Sequence, residues 1–172
     1  MINKSGVTIA SIFVTTMIAI FATLMLSPNG LSRLVFAQGP PTITISLTGG
    51  EEVPPVQTEA IGMAEFIPMG MDSIAYSVNA TNIQGATAGH IHLGAKGENG
   101  PIVVTLFKYD TPMNEVSENG TITADKLEGP MAGKQISDLV TAGANGTLYV
   151  NVHTEQNPNG EIRGQGGSPP TQ

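Results

Sequence analysis

Apolar and polar residues alternate strictly where the N-terminal part of the chain gives way to the rest. In residues 42–48, Thr-Ile-Thr-Ile-Ser-Leu-Thr, every second side chain is apolar. Successive side chains of a β-strand point to opposite faces, so this period of two predicts a strand with one buried face. The Gly49-Gly50 pair that follows is expected to end the strand.

Further strand-like segments, separated by turn residues, continue through most of the remaining chain. Glycine- and proline-rich segments lie between them, such as residues 54–55, 68–72, 94–100 and 157–160. Only residues 134–141 have the apolar spacing of a helix, and Gly143 is expected to stop it. The pattern predicts an all-β fold, an antiparallel sandwich or barrel with one short helix. Its predicted strands are residues 42–48, 60–67, 73–80, 86–93, 101–107, 121–124, 148–153 and 161–165.

The first 37 residues differ from all the others. Lys4 precedes a long uncharged run whose apolar centre, residues 7–26, has the length of about 20 residues that spans a bilayer. Val35 and Ala37 are small residues at the positions that a signal peptidase reads. We predict a signal peptide or membrane anchor over 1–37, and we favour cleavage after Ala37 over anchoring through 7–26.

Both alternatives export the rest of the chain, because the charged N-terminal end stays inside in either case. The protein is therefore predicted to be extracytoplasmic, either secreted or anchored to the membrane and facing outward. The exported part is predicted to be one β-sandwich domain, residues 38–165, with a disordered tail over 166–172.

Charge and composition narrow the classes of partner and of chemistry. Two of the seven Lys and Arg residues precede residue 38, whereas all fourteen Asp and Glu follow it, which gives the exported part a net charge of about −9. Such an acidic domain is not expected to bind nucleic acid or anionic lipid. The chain has no cysteine, which excludes thiol catalysis and thiolate metal ligands. It has no phosphate-loop, dinucleotide or nucleophile-elbow motif, and we predict no catalytic residue.

The three histidines of the chain are the main candidates for chemistry. His90 and His92 form a His-Ile-His sequence, so in a strand their rings share one face, about 6.6 Å apart along the chain. His153 ends the predicted strand 148–153, which can lie beside the predicted strand 86–93 in a sandwich. Three imidazoles could then hold one metal ion, and imidazole suits copper, zinc, iron and nickel. The alternative is a structural polar cluster without an ion.

Three charged residues near the last strand are candidates for supporting roles. Glu155 and Glu161 can supply an oxygen ligand or accept a hydrogen bond from a ring N–H. Glu161 and Arg163 share a face of the last strand, which fits a surface ion pair of about 0–1 kcal/mol. If the site is buried, we expect Arg163 instead to brace the loop that carries Glu51 and Glu52.

Three segments of the predicted domain form a recognisable series. The opening segment is residues 51–56 with Thr58 and 60–66, the central one is residues 89–94 with Gly97 and 100–104, and the closing one is residues 148–154 and 157–165. In order and spacing these segments resemble those of the CHRD domain, the repeat named from chordin, and the resemblance covers residues 42–165.

The resemblance implies an extracytoplasmic β-sandwich of immunoglobulin-like or similar Greek-key type, without a settled activity. In chordin the domain belongs to a protein that binds growth factors, but this chain lacks chordin's cysteine-rich modules. The histidine arrangement is also similar to that of copper/zinc superoxide dismutase, which would make His90, His92 and His153 copper ligands. No histidine is left here to bridge to zinc, and the structural disulfide of that enzyme is impossible.

These observations leave three functions open. The first is an exported CHRD binding module without catalysis, whose partner is an unknown protein or a metal ion. The second is a copper-dependent oxidoreductase like superoxide dismutase, and the third is a structural protein of the cell envelope. Metal analysis separates the first two, and membrane fractionation identifies the third.

Overall fold

The computed structural model of the chain describes residues 41–167. Within this range the chain forms eight strands, one α-helix and three single turns of 3-10 helix. The elements are β1 Ile43–Thr48, β2 Ile61–Pro68, β3 Ser73–Thr81, β4 Ala86–Leu93, β5 Ile102–Met113, β6 Val116–Thr123, α1 Ile136–Ala144, β7 Leu148–Thr154 and β8 Ile162–Gln165.

All eight strands belong to one antiparallel sheet, with the order β5-β4-β7-β8-β1-β2-β3-β6. Only Asn114 and Glu115 separate β5 from β6, the two strands at opposite ends of that order. Because so short a connection holds the end strands together, the sheet must curl into a nearly closed, sandwich-like shape. The prediction of an antiparallel all-β fold with one short helix is confirmed.

Three elements differ clearly in length from those that the sequence predicts, and the first is β5, which continues to Met113 instead of ending at residue 107. Strand β6 begins at Val116 rather than at residue 121, because it pairs with β3 along eight residues. The first residues of β6 are mostly polar, so they show no apolar alternation. The ring of Tyr76 lies against Gly120 of this strand. Helix α1 runs past Gly143 and ends before Gly146, whose φ of +69° is the left-handed conformation that commonly stops a helix.

The concave side of the sheet encloses the apolar core. On β4 and β7, Ile91, Val150 and Val152 point into this core and are almost fully buried. The alternate positions of the same strands carry polar side chains on the opposite, convex side. We call the convex side of β4, β7 and β8 the polar face, and it holds His90, His92, Tyr149, Asn151, His153 and Arg163.

Two loops lie next to each other and close to the histidines. Lys96 forms an ion pair with Glu51, with Nζ and Oε2 3.4 Å apart. The Asn99 side chain donates a 2.7 Å hydrogen bond to the carbonyl of Val53, and Gly100 contacts the ring of His92. The loop that carries Glu51 and Val53 and the 94–100 loop are therefore in contact with each other next to His92.

Several predictions concern residues outside the described range. They are the signal peptide or anchor over 1–37, its apolar centre and most of the predicted tail. Of that tail only Gly166 and Gly167 are described, and the Gly166 amide donates to the carbonyl of Leu148. Among residues 41–167 no helix has the length and apolar character that crossing a membrane requires.

Close packing on β4 gives a test of the fold. A Cβ atom at Gly89 would overlap the ring of Phe107 on the paired strand. We expect Gly89→Ala to lower the free energy of unfolding by about 1–3 kcal/mol, because the ring must leave its position. Urea denaturation measures this, with Gly50→Ala as control, since a Cβ there meets nothing within 4 Å. Equal stability of the two variants would contradict the packing described here.

Candidate metal centre

The three histidine rings lie together on the polar face. His90 and His92 are two residues apart on β4, and His153 on β7 is paired with Ala88. The ring centroids are 5.7 Å apart for His90 and His92, 4.8 Å for His90 and His153, and 5.8 Å for His92 and His153. One nitrogen from each ring lies within 4.8 Å of the others. The structure therefore brings together the three residues that the sequence selects.

Backbone carbonyls fix the orientation of two of these rings. His92 Nδ1 lies 2.9 Å from the carbonyl oxygen of Gly100, and His153 Nδ1 lies 3.0 Å from that of Pro158. A carbonyl only accepts hydrogen bonds, so each Nδ1 carries the proton and each Nε2 is left with a free lone pair. This is the arrangement by which proteins commonly orient histidine ligands of metals.

Three ring nitrogens in the cluster are buried and have no hydrogen-bond partner among the described residues. They are His90 Nδ1, His92 Nε2 and His153 Nε2. Buried polar atoms without a partner are uncommon in folded proteins, and each costs about 1–3 kcal/mol. Three such atoms in one cluster indicate a position for a further atom, and their lone pairs suit a metal ion.

The imidazoles are poor bases in this environment. Burial lowers the pKa of all three, and that of His90 falls to about 4. The neighbouring imidazoles oppose a charge on His90 as well, and so does Lys108. Metal ligation requires neutral histidine, so at neutral pH the rings are already in the state that binds a metal.

Arg163 and Tyr149 support His92 by stacking. The His92 ring lies nearly parallel to the Tyr149 ring, with centroids 4.7 Å apart and an interplanar angle of 10°. The guanidinium of Arg163 also stacks on Tyr149, at 3.5 Å from the ring centroid. Such cation–π contacts are strongest where water is excluded, and Arg163 is only 1% exposed.

Arg163 holds the 94–100 loop and not the loop that we expected. Its guanidinium donates to the carbonyls of Glu98 and Ala95, at 2.9 and 3.3 Å, and to the Asn99 side chain at 3.2 Å. The expected brace to the Glu51–Glu52 loop is absent from its hydrogen bonds. The reason is geometric, because the 94–100 loop takes up the guanidinium donors and itself makes the contacts with Glu51 and Val53.

Glu161 and Glu155 do not have the roles that the sequence suggested. Glu161 is buried and accepts hydrogen bonds from Thr58, Thr154 and Asn157, so among the described contacts it neither pairs with Arg163 nor binds a ring N–H. Glu155 is exposed beyond the end of β7. The hydrogen bonds from the ring N–H groups of His92 and His153 are accepted by the carbonyls of Gly100 and Pro158 and not by these carboxylates. The alternative of a surface ion pair between Glu161 and Arg163 does not hold either, since both side chains are buried.

Sequence reasoning missed three residues near the centre, Glu52, Tyr149 and Asn151. Glu52 is 5% exposed, and burial raises its pKa to about 7 although Arg163 acts in the opposite direction. A Cβ at Gly160 would overlap both Glu52 and Asn151, so these side chains meet there. The alternation along β7 places Tyr149 and Asn151 on the face of His153 and could have identified them. No sequence signal identifies Glu52 as buried.

The comparisons with known proteins identify a family. The sequence profile of the CHRD domain matches residues 43–165, which contain all three histidines and Arg163. Searches of curated proteins and of solved structures gave no match.

The shifted pKa values predict how stability depends on pH in metal-free protein. The folded-state pKa of each histidine is below its unfolded value, so the unfolded chain binds more protons and stability is lost as pH falls from about 6.5 towards 4. Glu52 acts oppositely, because its pKa is raised to about 7 and its contribution is lost as pH rises through that value. We therefore expect Glu52→Gln to be more stable relative to wild type at pH 8 than at pH 5.

Urea denaturation in the presence of a chelator measures both contributions. In the Glu52→Gln background, the additional change His90→Gln should reduce the loss of stability between pH 6.5 and 4, since it removes the histidine with the lowest pKa. If the single and double variants change in parallel with pH, His90 is not buried as described.

Proposed function

The chain belongs to the CHRD domain family, and on that premise we propose that it is an exported CHRD module that binds copper through His90, His92 and His153. One observation carries the proposal. One nitrogen of each histidine lies within 4.8 Å of the others, and three buried ring nitrogens of this cluster lack hydrogen-bond partners among the described residues. The module is proposed to bind and not to catalyse, since no catalytic residue is assigned.

A metal ion explains the cluster better than a purely structural role does. Histidines that serve only to stabilise a fold have their ring nitrogens hydrogen-bonded, because unsatisfied buried atoms are costly. Here Nδ1 of His92 and Nδ1 of His153 are satisfied by backbone carbonyls, whereas Nε2 of both rings and Nδ1 of His90 have no partner among the described residues. A bound cation would satisfy the free Nε2 lone pairs of His92 and His153.

The donor atoms favour copper over other metals. Magnesium and calcium prefer oxygen ligands, whereas imidazole suits copper, zinc, nickel and iron. For nitrogen ligands the affinity of divalent ions is greatest for Cu²⁺. Zinc is the main competitor, because three histidines also hold zinc in some enzymes. Bound copper would supply one-electron redox chemistry, and the residues named here would hold and orient it.

The metal proposal is tested by removing one ligand. We expect His153→Ala to weaken copper binding by more than about 100-fold, since loss of even an outer partner typically costs 10–100-fold. The matched control is Glu155→Gln, two residues further along in an exposed position, which should keep the wild-type affinity. Titration of chelator-treated protein against a chromophoric copper chelator measures both, with zinc in parallel.

Two outcomes would change the assignment. If His153→Ala and Glu155→Gln bind copper alike, or if wild-type affinity is weaker than millimolar, the cluster is structural, and His153→Ala should then lower the melting temperature. If copper-loaded protein removes superoxide faster than the same amount of free copper, and His153→Ala does not, the oxidoreductase alternative replaces the binding module.

Export is proposed from the sequence alone. It is supported by Lys4, by the apolar centre at residues 7–26 and by the small residues that precede Gln38. We expect the protein in the extracytoplasmic fraction with Gln38 as its first residue, which N-terminal sequencing checks. An intact N-terminus in the membrane fraction would instead support an anchor, as the envelope alternative requires. Recovery of full-length protein from the cytoplasm would contradict export.

A further inference from the structure

A second site lies on the other side of the strands that carry the histidines. Inside the curled sheet, beneath helix α1, the described residues enclose a cavity of about 390 Å³. Its floor is formed by buried side chains from five strands and the helix. These include Phe66, Ile74, Ile91, Ile122, Leu139 and Val150.

The lining has the chemistry of a hydrocarbon site. Among the described lining residues only Tyr149 has an ionisable side chain, and that side chain lies on the polar face, where its hydroxyl accepts a hydrogen bond from the Gly100 amide. The buried polar atoms that lack partners all belong to Glu52, Asn151 and the three histidines, and none of these residues lines the cavity. A cavity without polar partners does not hold ordered water, whereas apolar cavities bind apolar molecules. The lining therefore excludes charged and strongly polar ligands.

The cavity has a mouth with a different character from its floor. The residues from Thr42 to Thr44, at the start of β1, are exposed and lie at its edge, as do Val140 and Ala144 of helix α1. Thr44 is paired with Glu65 on the outer side of the sheet, so a polar group at the mouth meets water there and not a threonine hydroxyl. A ligand can thus bury an apolar part in the floor and leave a polar end at the mouth.

We propose that this cavity binds a neutral amphiphile with a single aliphatic chain, such as a long-chain alcohol. An engineered cavity of about 150 Å³ holds benzene, so by that scale this one accommodates on the order of 15 carbon atoms. Its volume also falls within the range of about 300–1,000 Å³ that is typical of ligand pockets. A neutral head group fits better than a charged one, because none of the described residues at the mouth has a side chain that can pair with a charge.

The cavity and the metal centre are separate, although strands β4 and β7 contribute residues to both. Ile91 lies in the cavity floor, while His90 and His92 on either side of it point to the polar face. Binding of the aliphatic chain should therefore survive both chelation of metal and the His153→Ala change. Failure of one proposal leaves the other intact.

The test uses the full chain and two variants that narrow the cavity. N-phenyl-1-naphthylamine, which fluoresces in apolar sites, is bound to the protein and displaced by 1-dodecanol. We expect Val140→Trp at the mouth and Ile122→Phe in the floor each to weaken dodecanol binding at least about 10-fold, since each fills space that the aliphatic chain needs. The control is Ile61→Trp, which adds the same side chain to an exposed position outside the cavity and should change nothing.

The possible outcomes are distinguishable. Val140 is 40% exposed, so its replacement tests the site even if Ile122→Phe fails to fold. Unchanged binding in Val140→Trp, or equal loss in Ile61→Trp, would overturn the proposal, because the probe would then bind an exposed surface. Absence of probe binding to wild type would also overturn it. In that case analytical ultracentrifugation would show whether a second copy of the chain covers the mouth. A monomeric protein would indicate that the protein's own side chains fill the cavity.

Discussion

The buried guanidinium of Arg163 holds the candidate metal centre together. It connects β8 to the 94–100 loop through hydrogen bonds and to Tyr149 on β7 through stacking, and Tyr149 in turn supports His92. Gly100, in the same loop, accepts the hydrogen bond that orients the His92 ring. A fully desolvated arginine is costly unless its donors are satisfied, so the loop that satisfies them cannot easily move away. Arg163 thus holds the 94–100 loop over the site, and Gly100 of that loop sets the tautomer of His92.

The second constraint is the division of each strand between two environments. A strand that alternates faces ordinarily presents its polar side to water, but here loops cover the polar face and most of its side chains are buried. Burial lowers the pKa of the three imidazoles and raises that of the Glu52 carboxyl group. Burial therefore favours the uncharged form of each of these groups. A neutral set of nitrogen donors in a partly buried cluster could bind a cation.

The same alternation explains how one small domain can carry two unrelated sites. Even-numbered positions of β4 supply imidazoles to the convex side, and Ile91 between them supplies apolar surface to the concave side. The sheet itself separates the two, since its hydrogen-bonded backbone lies between them. Membership of the CHRD family states neither a ligand nor a reaction, so the chemistry has to be read from the sites themselves.

The sequence by itself determined what depends on near neighbours in the chain. Period-two alternation located most of the strands, and the same rule put His90 and His92 on one face. It failed for β6, whose polar residues give no periodic signal, and for the partners of Glu161 and Arg163. Tertiary structure decided the pairing of β4 with β7, whose register sets His153 opposite Ala88, and the folding of the loops across the polar face. Strand register and loop position depend on contacts between residues far apart in sequence, and local pattern does not encode those contacts.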